Sequence, residues 1–111
     1  MKKTSRILGC VLVSLWGPAL AAQTPSWTFT TVDFPGFASV TSPIGMNNHG
    51  DIVGYYNDST GTFHGYLRPS GGDFGSIDFP GAVRTHAAAI NDDGDIVGTY
   101  VDPAGFQHGF L

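Results

Sequence analysis

From residue 41 onward, apolar and polar positions alternate in short runs, each stopped by a cluster of Asn, Asp, Ser, Gly or Pro. The runs are "TSPIGM" (41–46), "DIVGYY" (51–56), "TFHGYLR" (62–68) and "FGSIDF" (74–79). They are too short for helices and carry β-branched and aromatic residues, which predicts strands. The breaks are "NNHG", "NDSTG" and "PSGGD", and Pro80-Gly81 closes the last run with a type II turn signature. Four short strands joined by tight turns predict an antiparallel meander. In "DIVGYY", Ile52, Gly54 and Tyr56 point to one face and Asp51, Val53 and Tyr55 to the other. A strand apolar on both faces needs a neighbour on each.

The pattern is then repeated. Laying 41–67 over 85–111, an offset of 44 residues, gives thirteen identities in twenty-seven positions without a gap. Among them are Thr41/Thr85, Asn47/Asn91, Gly50/Gly94, Gly54/Gly98, Tyr56/Tyr100, Asp58/Asp102, His64/His108 and Gly65/Gly109. A second block, "FTTVDFPG" (29–36), matches "FGSIDFPG" (74–81) at an offset of 45. A fixed period of this size marks a repeat architecture. Residues 23–40 read as an N-terminal strand and linker, 41–84 as a first repeat and 85–111 as a second, incomplete one. The local chemistry fits hairpins: Asn47 or Asn91 can accept from its own backbone two residues on, and Gly50 or Gly94 can take the left-handed conformation at the turn exit.

The expected fold is therefore all-β, built of four-stranded antiparallel meanders that resemble propeller blades, about two of them. The alternative is a two-sheet sandwich with one sheet per repeat. The strands run fourth, then first to fourth, then first to third. "TFTTVDF" (28–34) has fourth-strand sequence and is expected to complete the second repeat. Two blades fall short of a closed propeller, so the chain is expected to be a fragment of a longer array or a piece that associates.

The N-terminus changes the picture of location. Lys2, Lys3 and Arg6 precede an apolar run over 7–20 and the small-x-small triplet Ala19-Leu20-Ala21. That order predicts a cleaved secretory signal peptide at 1–22, hence a secreted, extracellular or periplasmic protein. The run is shorter than a spanning helix needs and is broken by Gly17-Pro18, so no stable membrane insertion is expected after cleavage. Cys10 would leave with the peptide, and no disulfide or thiolate chemistry would remain. The remaining chain has two Arg, nine Asp and no Lys or Glu, a net charge of 2 − 9 = −7 against −4 for the whole sequence. Nucleic acid is excluded as a partner on that balance. Abundant Asp and Gly without Glu or Lys belong to turns rather than helix surfaces.

Candidate chemistry is sparse. His64 and His108 recur at equivalent positions. Symmetric closure over "NDSTG" sets each ring over a glycine, Gly54 or Gly98, with a ring nitrogen bonded to backbone. His49 and His86 have no counterpart and fall in or near loops. Recurrence points to architecture, since a catalytic residue is needed only once. In "NDDGD" (91–95), Asn91, Asp93 and Asp95 are weak candidates for a calcium loop, but Ala89 and Val97 stand where such loops begin and end with Asp. A solvated Asp-rich turn is the simpler reading. Asp33 and Asp78 recur before Phe-Pro-Gly, as a structural cap would. No G-x-S-x-G, P-loop or G-x-G-x-x-G is present. No catalytic residue and no cofactor is expected.

The segment "IN..GDIVG.Y", the following "HG[FY]L" and "[IV]DFPG" together resemble the HAF repeats of secreted bacterial proteins. The resemblance covers residues 29–111. It implies a long, many-copy secreted chain with a propeller-like fold and implies no particular activity; this chain differs in having two copies. The expected function is a non-enzymatic scaffold or adhesion module whose partners are further repeats or other copies of itself. The alternative is a carbohydrate- or calcium-binding module on the loop face, and less favoured is a hydrolase or lyase, which would need an unrepeated polar cluster.

Overall fold

A computed structural model describes residues 24–36 and 38–111; the expected signal peptide at 1–22, with Cys10, and Phe37 lie outside the described residues. Val32–Leu111 forms one compact unit, and residues 24–31 fall outside it and carry no helix or strand. Among the described residues the protein is all-β, with seven strands: β1 (Thr41–Met46), β2 (Ile52–Asn57), β3 (Phe63–Arg68), β4 (Gly75–Ile77), β5 (Arg84–Ile90), β6 (Ile96–Val101) and β7 (Gln107–Phe110). They form two antiparallel meanders, β1-β2-β3-β4 and β5-β6-β7, one per repeat, and neither closes into a barrel.

The two sheets have the same register. Tyr56 pairs with His64 and Gly54 with Tyr66; Tyr100 pairs with His108 and Gly98 with Phe110. A bulge at Ile44 between β1 and β2 is repeated at Ala88 between β5 and β6. The "NNHG" and "NDDG" turns form as expected. Gly50 and Gly94 take φ of 86° and 88°, and Asn47 Oδ1 accepts from the amides of His49 and Asp51 at 3.0 Å. The Asp95 amide donates to Asn91 Oδ1 at 2.8 Å. After β4, the Ala82 amide donates to the Phe79 carbonyl and Gly81 has φ of 79°, the turn expected at Pro80-Gly81.

Three expectations are corrected. First, the β2–β3 hairpin closes two residues away from the symmetric reading, so each histidine lies opposite a tyrosine and not opposite a glycine. The cause is Gly61, which takes φ of 87° as the third residue of the loop, with its amide on the Asp58 carbonyl. Gly105 does the same over Asp102. Both are three-residue loops ending in a left-handed glycine. Second, 28–34 carries no strand, so the second sheet has three strands among the described residues. Phe34 is instead spent on the first sheet. Third, His86 lies inside β5 rather than in a loop.

The first sheet is covered on both faces, as its patterning requires. On one face Ile52, Tyr56 and Tyr66 form the core, joined by Val32, Phe34, Ala38 and Phe74. On the other, Val53 is fully buried and β5 crosses the strands. Glycines allow that approach: a Cβ on Gly45 would lie 2.9 Å from the Ala88 carbonyl oxygen, and one on Gly65 would lie 3.2 Å from the Ala87 amide nitrogen. The second sheet rests on the first through β5. Its own counterpart of Val53, Val97, is 43% exposed.

Candidate functional site

The polar groups of interest are assembled by the repeat itself. The "DFPG" phenylalanine comes first. The Phe34 amide donates to Thr41 Oγ1 (2.9 Å) and the Phe79 amide to Thr85 Oγ1 (3.0 Å). Each ring then stacks on the tyrosine that ends "GDIVG.Y": Phe34 on Tyr56 at 3.6 Å and 6°, and Phe79 on Tyr100 at 3.7 Å and 2°. The tyrosine in turn stacks on the histidine across the hairpin, Tyr56 on His64 at 5.2 Å and Tyr100 on His108 at 5.0 Å. Stacked rings at these separations add to plain area burial.

An aspartate from the hairpin loop completes each column. Asp58 Oδ1 accepts from the amides of Thr60 and Thr62 and from Thr60 Oγ1, which turns Oδ2 toward His64 Nε2 at 2.7 Å. Asp102 accepts from the Phe106 amide and bonds His108 Nε2 at 2.8 Å. His64 gains a second carboxylate, since its Nδ1 lies 2.6 Å from Asp78 Oδ1 just past β4. The ring nitrogens thus meet carboxylates and not the backbone expected from sequence. Asp78 acts as a partner for His64 rather than as a cap.

Charge follows the geometry. Burial, the largest single influence, pulls the His64 pKa down, but the bonds and charges of Asp58 and Asp78 outweigh it and the net shift is upward. The Thr60 hydroxyl first, then His64, hold Asp58 far below the usual carboxylate range. His108 and the Phe106 amide lower Asp102. Two flanking carboxylates favour an imidazolium that donates from both nitrogens. No ring nitrogen of His64 is then left to take a proton from a nucleophile, and the nearest hydroxyls are already committed. Tyr56 and Ser76 share a 2.6 Å bond, and Thr60 serves Asp58.

His86 is the contrasting case. It stacks on Tyr55 at 4.3 Å with the edge of Phe63 at 5.5 Å, and its Nε2 is buried without a partner among the described residues. Burial, then Arg84, lowers its pKa. The two histidines oppose each other in acid. A raised folded-state pKa makes the His64 contribution present below the unfolded value and lost as pH rises through the folded one. A lowered value makes His86 cost stability as pH falls below its unfolded value. His86→Phe keeps the ring stack and is expected to make the protein relatively more stable at about pH 5.5 than at about pH 7.5, whereas His64→Asn does the reverse. Urea midpoints of the two variants at the two pH values check this; parallel shifts would contradict it.

The acidic turn is occupied by the neighbouring turn. The Asn48 amide and Nδ2 donate to the two carboxylate oxygens of Asp92, at 2.8 Å each, and Asn47 Nδ2 donates to the Asn91 carbonyl at 3.0 Å. These contacts join residues one period apart. Sequence reasoning missed the pairing, although the Asn-to-Asp change between positions 48 and 92 signals it: the amide of one copy meets the carboxylate of the next. Of the calcium candidates, Asn91 Oδ1 accepts from the Asp95 amide and Asn91 Nδ2 donates to Asp95 Oδ2 (3.0 Å), while Asp93 is exposed. Among the described residues no group of three or more His, Cys, Asp or Glu side chains is arranged to hold a metal ion. Elsewhere, Asp51 Oδ1 accepts from the Ser70 amide (2.8 Å), which is the main cause of its lowered pKa and fastens the start of β2 to the turn after β3.

No protein-family model, curated protein or solved structure matches this chain.

Proposed function

We propose that the protein is an exported, non-enzymatic repeat protein of the HAF type, a scaffold whose polar networks hold the repeats together. The carrying observation is recurrence: Phe34–Tyr56–His64–Asp58 reappears as Phe79–Tyr100–His108–Asp102 with the same contacts. A repeated unit that builds a column in every copy is using it for stability. The capture of both His64 nitrogens by carboxylates supports the same reading. Export rests on the basic, apolar and small-residue order of the first 22 residues.

His64→Gln and His108→Gln are each expected to lower unfolding stability by about 1–2 kcal/mol, from loss of a charge-assisted bond. Neither is expected to remove a turnover on a panel of polysaccharides and peptides. Turnover present in the parent and lost only in His64→Gln would defeat the scaffold reading. N-terminal sequencing of the exported product, expected to begin at or beside Ala22, checks the cleavage.

A further inference from the structure

The junction between the two repeats has parts on both sides. Strand β4 pairs with β3, with Gly65 opposite Ile77 and Tyr66 opposite Ser76. Asp78 then reaches back to His64, and Phe79 goes forward onto Tyr100. Meanwhile β5 covers the face that carries Val53.

Both halves of such a junction also stand unjoined. At one end, among the described residues, β7 pairs only with β6. His108 is bonded to Asp102, and among the described residues no second carboxylate bonds it as Asp78 bonds His64. On the second sheet, at the face equivalent to the one that β5 covers on the first, lies a hollow of about 360 Å³ lined by Ala89, Ile90, Asn91, Asp95, Val97 and Leu111. At the other end, "TVDF" (31–34) matches "SIDF" (76–79), and its Phe34 is already seated on Tyr56 as Phe79 is on Tyr100. Asp33 is exposed, and β1 presents Ile44 and Met46 about half exposed.

We propose that these two ends join between copies of this chain, head to tail. Residues 31–33 of one copy add a fourth strand beside β7 of the next, with Val32 opposite Gly109 and Thr31 opposite Phe110, and Asp33 bonds His108. The incoming β1 fills the hollow over Val97 as β5 fills that over Val53. The occupant is a second copy because the only segment of the described chain with the β4 sequence, other than β4 itself, is this one, and its Asp33 stands where Asp78 stands when it bonds His64 Nδ1. Strand addition to an open edge supplies main-chain bonds that a monomer leaves to water. The contact joins two different patches, so it propagates and ends in a ring or a filament according to its rotation. The proposal does not depend on whether the protein lacks an activity.

Sedimentation velocity of the purified chain tests it. The parent is expected to grow with concentration. Asp33→Arg and Thr31→Pro change exposed positions outside every strand, so they are expected to keep the parent's unfolding transition and to sediment as monomers. Val97→Asp, on the opposite half, is expected to be monomeric as well. Mixing Asp33→Arg with Val97→Asp leaves one intact half on each partner and is expected to give a one-to-one dimer and nothing larger. A parent that stays monomeric, Asp33→Arg and Thr31→Pro variants that still assemble, or a mixture that stays monomeric would each overturn the proposal. The first of these would leave the open edge to further repeats or to a different protein.

Discussion

Gly54→Val and Gly98→Val are each expected to lower the unfolding free energy by about 3 kcal/mol, the upper end of overpacking effects. The obstacle is backbone. A Cβ on Gly54 would collide with the Ser42 carbonyl oxygen and lie 3.0 Å from Pro43 Cα, where β1 bends into its bulge. A Cβ on Gly98 would collide with the His86 carbonyl oxygen and lie 2.8 Å from the Phe110 ring. Neither neighbour can rotate aside, so the first two strands of a sheet must separate. The next glycine pair is expected to split. Gly65 is covered by Ile77 and β5, with a Cβ 2.9 Å from the Ile77 carbonyl oxygen, whereas a Cβ on Gly109 finds only the Gly98 carbonyl oxygen at 3.8 Å. Gly65→Ala should therefore cost about 1–3 kcal/mol, and Gly109→Ala less than about 0.5 kcal/mol in the monomer. Chemical denaturation of the four variants decides it. Equal losses at Gly65 and Gly109 would mean that the second sheet is covered as the first is.

Tyr66 is expected to give the second large effect, with opposite signs for two substitutions. Its side chain is fully buried between β2 and Phe74, and its ring lies 5.3 Å from Phe74 and 6.3 Å from Phe34. Tyr66→Ala removes the largest fully buried side chain and should cost about 4 kcal/mol. Its hydroxyl, however, is buried without a hydrogen-bond partner among the described residues. Burial, partly offset by Arg68, pushes the phenol up to about 12. An unpaired buried hydroxyl costs free energy that the same ring without it does not. Tyr66→Phe is therefore expected to stabilise by about 1 kcal/mol. Destabilisation by Tyr66→Phe would show that the hydroxyl has a partner. The second repeat already carries phenylalanine at the equivalent position, Phe110.

The two kinds of residue in this chain were unequally legible. Strand positions followed from punctuation, because Asn, Asp and Gly stop a strand for local conformational reasons that need no partner. Gly50 and Gly94 are the clearest cases. The hairpin register was not legible, because it turns on which loop residue takes the left-handed conformation, and "NDSTG" also permits symmetric closure. The histidine partners depended on that register. The role of Asp78 depended on β4 ending beside the β2–β3 hairpin of the same sheet, where His64 stands. His86 was obscured by its lack of a counterpart. Ser42 stands at the equivalent place, and the two copies differ where they face different surroundings, here the Tyr55 and Phe63 rings of the other sheet.

Residues 75–79 are held in common by both sheets, their strand in the first and Phe79 in the second. In the language of one-dimensional cooperative chains, such a segment enters the nearest-neighbour coupling and not the intrinsic stability of either unit. The first sheet cannot release its outer strand without withdrawing an aromatic ring from the second. The coupling is also vectorial: Phe79 supports only the sheet that follows it, and Asp78 only the histidine that precedes it. Loss of order in one sheet therefore lowers the barrier to loss in the other, and the pair approaches a single cooperative unit although it contains two separate hydrogen-bonded sheets.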